Sequence, residues 1–329
     1  AVALVAGACA GTGGSASPSG QRATLRVGLG YLPGVQFAPF YLAQQSGAYA
    51  AAGLDVTLQN QIDPDLLSLV GSGNLDLALA DGTSVIPAVS QGIPVRYVAT
   101  IYGTLPNVVI ARADAGIASP SDLAGKRIGT PGAYGSGYLT LLGILADAGI
   151  ASSDVQLDLY PDYGQTAALI AGKVDAITGY ANNDLLQAED AGLDVNVFFA
   201  ADSAPFAGPG LISAPATIAT KGAALRAFVA VTLDAMKKIA ANPQLGLDAT
   251  AAVVPEVAAT PAARATAQKV LEATIRIWSG PAQDASGYGA LDEMAWKQSI
   301  AFLAALPDQH VKPTLAVGDV LDATLLPPR

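Results

Sequence analysis

The side chains best placed to do chemistry in this 329-residue chain gather at a handful of turns. Tyr31, Gln36 and Phe37 stand in the run from Gly30 to Tyr41, Asp81 and Thr83 follow a short apolar strand, and Tyr102 precedes a glycine. Tyr134 and Ser136 sit in a Gly-rich turn, and Tyr180, Asn182 and Asn183 follow a second apolar strand. Aromatic residues make up only 6% of the chain, so their concentration at these points is informative. Flat rings offer stacking faces, each offset pair contributing about 0.5–1.5 kcal/mol beyond burial. Neutral amides and hydroxyls offer directional hydrogen bonds, and Asp81 is the one acidic group in the set. Such a set suits a small planar polar heterocycle. A phosphate or sulfonate would call for Arg or Lys, and these turns hold neither. The run from Gly132 to Gly137 has the glycine content of a phosphate cradle, but no Gly-Lys-Ser/Thr follows it. The single histidine, His310, lies in the C-terminal tail region and the single cysteine, Cys9, near the N-terminus. Neither a Cys/His nucleophile pair nor a zinc site can be assembled from them.

The turns are positioned by a repeat. Residues 25–82 and 126–181 share one skeleton, opening with Arg26-Val27-Gly28 and Arg127-Ile128-Gly129, each followed by a turn rich in Gly, Pro and Tyr and then an apolar helix. Strands at Asp55 to Leu58 and Asp154 to Leu157 come next, then helices Leu66 to Gly71 and Thr166 to Ala171, then apolar strands Leu77 to Ala80 and Ala176 to Gly179. A spacing of 21 residues separates Asp55 from Asp76 and Asp154 from Asp175 alike. Strand, helix, strand, helix, strand is the alternation of a parallel sheet covered on both faces, so two α/β lobes, each doubly wound, are expected. In such sheets ligands bind beyond the carboxyl ends of the strands, which is where the turns fall. Each residue also has a plainer role open to it: Asp81, Asn182 and Asn183 can cap the helices that follow, and Phe40 or Tyr41 can belong to the core.

After Leu211 the chain becomes Ala- and Leu-rich, with helices expected at Ala223 to Ala241, Pro261 to Trp278 and Leu291 to Leu306 and no further repeat. The economical path leaves lobe 1 (25–106) near Asn107, builds lobe 2 (107–202) and returns near Asp202 to finish lobe 1 (203–329), a two-segment hinge. A net charge of −10 argues against nucleic acid and anionic lipid surfaces as partners. No run approaches the roughly 18 consecutive apolar residues of a spanning helix. The small apolar residues from Ala1 to Ala8 before Cys9 read as the end of a signal peptide, with residues 1–24 completing a flexible tether.

With these residues in view, a family resemblance can be stated. The run Tyr31 to Ala43 continuing through Gly53-Leu54-Asp55-Val56, with Leu69-Val70-Gly71-Ser72-Gly73, Asp122 to Gly129 and Tyr180-Ala181-Asn182-Asn183, resembles the ABC-importer solute-binding proteins related to thiamine-pyrimidine synthases. Cys9 in its setting resembles a lipobox, with Ala6 where Leu is usual. The resemblance implies a type II periplasmic-binding-protein fold, a monomer closing its lobes on a ligand, an extracytoplasmic lipid anchor at Cys9, ABC permease subunits as partners and no cofactor. Members of the family bind thiamine pyrimidine precursors, riboflavin, sulfonates or nitrate. Val35 to Tyr41 looks most like the riboflavin branch, with the thiamine-precursor branch next. Fungal relatives are synthases that use an active-site histidine and a cysteine-rich motif, and this sequence has neither, its one histidine lying in the C-terminal tail region. A sensor domain with the same cleft is the remaining alternative.

Overall fold

The computed structural model describes residues 22–60, 66–199, 207–306 and 309–328; Cys9, residues 1–21 of the expected tether and Asp202 lie outside them, while Ala23 and Thr24, also assigned to the tether, belong to the first strand. Strand β1 (Ala23–Leu29) buries Leu25, Val27 and Leu29. It pairs in parallel with β2 (Leu54–Asn60) and β3 (Leu77–Ala80). The crossovers are α1 (Ala38–Gln45) with the short α2 (Ala48–Ala51), and α3 (Leu66–Gly71). Helix α4 (Gly82–Ser90) then leads to β4 (Arg96–Thr100). After β5 (Asn107–Arg112) the pattern recurs as β6 (Arg127–Thr130), α5 (Gly135–Asp147), β7 (Gln156–Leu159), α6 (Gln165–Ile170), β8 (Ala176–Tyr180), α7 (Asp184–Asp190) and β9 (Val195–Phe199). The chain returns through β10 (Gly210–Ser213).

Two five-stranded sheets result, ordered β2-β1-β3-β10-β4 and β7-β6-β8-β5-β9. The expectation of parallel sheets needs one correction. In each sheet the fourth strand, β10 or β5, runs antiparallel to both neighbours. These are the strands that flank the two crossings between lobes, and a chain entering a sheet from the other lobe arrives from the cleft side and so runs the opposite way. The crossings lie between β4 and β5 and between β9 and β10.

The repeated aspartates have a structural job. Asp76 accepts a hydrogen bond from the Arg26 amide and Asp175 from the Arg127 amide, both at 2.8 Å, while each aspartate's own N–H donates back to that arginine's carbonyl. Each pair fastens a central strand to the turn that opens its neighbour.

The C-terminal part is helical, as alanine-rich sequence favours: α8 (Pro215–Ala241), α9 (Pro243–Ala251), α10 (Pro261–Ile277), α11 (Pro281–Ser286) and α12 (Glu293–Ala305). Four of these begin on proline, whose fixed φ and missing N–H suit the first helical position. By length and hydropathy α8 is a helix that could cross a membrane. It spends its apolar stripe otherwise: Leu225, Phe228, Val229, Leu233, Met236 and Ile239 are buried in the lobe 1 core, where Tyr49 stacks on Phe228 with ring centroids 4.9 Å apart. Phe40 and Tyr41 are both core, at 0% and 1% exposure.

Candidate ligand-binding site

Between the carboxyl ends of the two central strand sets lies a cavity of about 240 Å³. Ten of the eleven site residues expected from the sequence line it: Tyr31, Gln36, Phe37, Asp81, Tyr102, Tyr134, Ser136, Tyr180, Asn182 and Asn183. Thr83 is the exception. It is fully buried inside α4, and the hydroxyl facing the cavity at that turn belongs to Ser84. Neighbouring residues on a helix project about 100° apart, so a one-residue shift exchanges the buried face for the cleft face. Sequence reasoning also missed Asn107, Tyr163, Gln165 and Asp184 on the wall. No Lys, Arg, His or Cys is among the described lining residues.

The centre of the site is Asp81. It opens α4 without capping it; the carboxylate instead crosses to the other lobe. There it accepts the Tyr180 hydroxyl at 2.9 and 3.0 Å and also the Ser136 hydroxyl. Desolvation raises the Asp81 pKa above its ordinary value of about 3.8, while the hydrogen bonds from Ser136 and Tyr180 pull it back. Burial also raises Tyr180, with the nearby Asp81 charge adding to the effect.

The lobe 2 groups are held by local backbone chemistry. Gly135 has φ +73, a left-handed conformation that lets the chain place Tyr134 and Ser136 on the same side as α5 begins. At Gly179 a Cβ would come within 2.7 Å of Asp184, so only glycine allows that carboxylate to fold beneath the strand end. There Asp184 accepts the Tyr180 amide at 2.8 Å and the Thr166 hydroxyl at 2.6 Å. Desolvation raises the Asp184 pKa as well.

Further bridges join the lobes around the cavity. Tyr163 meets the Tyr31 ring edge-to-face at 4.8 Å, and the Asn183 amide donates to the Tyr31 hydroxyl at 3.4 Å. Tyr163 holds φ +60, which costs a non-glycine residue about 1–2 kcal/mol. Strain of this kind concentrates at functional sites. The Asn182 amide donates to Thr274 on α10 at 2.8 Å. Leu139 of α5 packs into the lobe 1 cluster that contains Val85 and Ile86 of α4. At the rim, Lys269 pairs with Asp190 at 2.6 Å.

The NMT1/THI5 like family profile matches residues 35–245, well over half of the chain. The chain belongs to that family. Among curated relatives it is similar to the riboflavin-binding protein RibY of Chloroflexus aurantiacus, 32% identical over 88% of this chain and 82% of the relative. It is also similar to the formylaminopyrimidine-binding protein of Halalkalibacterium halodurans, 28% identical over 86% of this chain and 85% of that protein. Among solved structures it resembles the alkanesulfonate-binding protein SsuA of Xanthomonas axonopodis pv. citri bound to MOPS, with a TM-score of 0.68, 19% identity, and coverage of 93% of this chain and 98% of SsuA. The NMT1/THI5 like chain therefore has the two-lobed periplasmic-binding-protein fold.

Proposed function

We propose that this protein is the extracytoplasmic ligand-capturing subunit of an ABC importer, anchored by lipid at Cys9, which clamps a small planar heteroaromatic vitamin or precursor of the riboflavin or aminopyrimidine type. The observation that carries the reading is the Asp81 clasp: a carboxylate of lobe 1 held by Ser136 and Tyr180 of lobe 2 inside a cavity walled by Tyr31, Phe37, Tyr102, Tyr134 and Tyr163. The names of the two curated relatives point to the same ligand class. Binding that bridges both lobes favours the state in which they touch, because a ligand shifts an equilibrium only by its differential affinity for the two states. The closed state would then be the one offered to a permease.

The lining favours this class over sulfonates, since no described wall residue carries a positive charge. It favours binding over catalysis, since neither His nor Cys is among the described wall residues. A thermal-shift panel of riboflavin, formylaminopyrimidine, thiamine and MOPS tests the proposal. A ligand at a hundredfold excess over its dissociation constant should add roughly 2.7 kcal/mol of apparent stability. A shift with riboflavin or formylaminopyrimidine and none with MOPS is expected; a flat panel overturns the assignment.

A further inference from the structure

The hydrogen-bond polarity of the cavity wall is more specific than its residue types. Asn107 and Asn182 are 1% and 3% exposed, and the side-chain carbonyl oxygen of each has no partner among the described residues. Gln165, 3% exposed, has the same orphaned oxygen, and all three residues line the cavity.

The amide orientations of the two asparagines follow from their neighbours. Asn107 Nδ2 lies 3.0 Å from Ser136 Oγ, and the Ser136 hydrogen is already given to Asp81. Ser136 can therefore only accept, so the group facing it must be the Asn107 NH2. The same logic holds for Asn182. Its Nδ2 lies 2.8 Å from Thr274 Oγ1, and the Thr274 hydroxyl donates to the Val270 carbonyl at 2.7 Å. In both residues the nitrogen is committed to the protein and the oxygen is left over.

We propose that Asn107 and Asn182 form an acceptor-rich reading edge that selects ligands presenting N–H donors from the rim of a heteroaromatic ring. This deepens the binding reading above and rests on it. A buried carbonyl left without a donor is penalised, and a site built to receive a donor strongly rejects the analogue that lacks one. Two ligand types share the required chemistry: an isoalloxazine, through its ring imide N–H, and an aminopyrimidine, through its exocyclic amine. The acceptor edge excludes rings whose polar rim consists only of carbonyls and bare ring nitrogens.

The test is a titration of the full protein by calorimetry with paired probes. One arm compares riboflavin with 3-methylriboflavin, which lacks the imide N–H. The other compares formylaminopyrimidine with the analogue whose ring amine is replaced by a methyl group of nearly the same size. The arm whose parent binds identifies the source of the N–H. In that arm the donor-free analogue should bind at least about tenfold more weakly. Asn107→Ala and Asn182→Ala should weaken the parent by a similar factor and shrink the gap between parent and analogue. The comparison of probes on the unaltered protein stands even if a variant fails to fold. A parent that binds while its analogue binds equally well overturns the acceptor edge and leaves the cleft reading intact. If neither parent binds, the cleft reading fails and the acceptor edge falls with it.

Discussion

The two lobes share a strand order and a clamp, yet they bring opposite chemistry to the cleft. Asp81 and Tyr180 occupy equivalent places, each five residues beyond the aspartate that fastens its central strand. Lobe 1 places an acceptor there and lobe 2 a donor, and the two meet at 2.9 Å. A duplicated unit with identical turns would set like against like across its own seam. Divergence at one equivalent position gives complementary faces, and complementarity is what lets two separate sheets close on each other. The clamps have diverged too. Asp76 is 3% exposed and also pairs with Lys221 of α8 at 2.8 Å, whereas Asp175 is only half-buried. Lobe 1 is the sheet that the C-terminal helices cover, and its clamp is part of that packing.

The largest expected effect tests this difference in the clamps. Asp76→Ala leaves the Arg26 amide without its side-chain acceptor in a partly buried setting, and should lower unfolding stability by about 2 kcal/mol. Asp175→Ala, with water nearby, should cost about 1 kcal/mol. The partly exposed Lys221 pair adds little to the first figure. Urea denaturation of the two variants checks the ordering; equal costs would mean that the lobes depend on their clamps to the same degree.

The repeat was legible because it is written in residues with fixed geometric duties: arginine in the first strand, glycine at the helix end, aspartate before the third strand. The turns after the first and third strands of each lobe followed from it, and most of the cavity wall came with them. The turn after β7, which carries Tyr163 in Tyr160-Pro161-Asp162-Tyr163-Gly164, is also a carboxyl-end turn and was open to the same argument. Asn107 was visible only as the point where the chain changes lobes. Its role arises from the first turn of α5 reaching it across the second sheet, a contact that no local pattern encodes. The direction of β5 and β10 was hidden for a similar reason. Their sequences are ordinary apolar strands, and only the path between lobes fixes which way they run.

A middle-sized effect concerns the donor and acceptor faces themselves. Because burial between the lobes raises the Asp81 pKa, against the pull of the Ser136 and Tyr180 hydrogen bonds, closing the lobes over Asp81 is favoured while its carboxyl is protonated. Its contribution is complete below the ordinary value of about 3.8 and is lost as pH climbs through the raised value. Small-angle scattering of the ligand-free protein should therefore show the lobes separating as pH rises above the ordinary carboxylate range. Asp81→Asn keeps the shape, cannot ionise, and should flatten that response. An identical pH profile in both proteins would remove Asp81 from control of closure.

The smallest effect belongs to the rim, where the lobes are joined by exposed charge instead of a buried clasp. Lys269 of α10 and Asp190 of α7 stand 2.6 Å apart with side chains 58% and 28% exposed, and Thr266 also donates to Asp190 at 2.9 Å. The lysine and the threonine hold the Asp190 pKa below its ordinary value, so the carboxylate is charged throughout the neutral range. Solvent and salt screen such a pair. Lys269→Ala should change ligand affinity by no more than about threefold, and the change should vanish at high ionic strength. Titration at low and high salt decides the matter. A larger, salt-insensitive loss would mean that the rim pair, and not the Asp81 clasp, is the main fastening between the two halves.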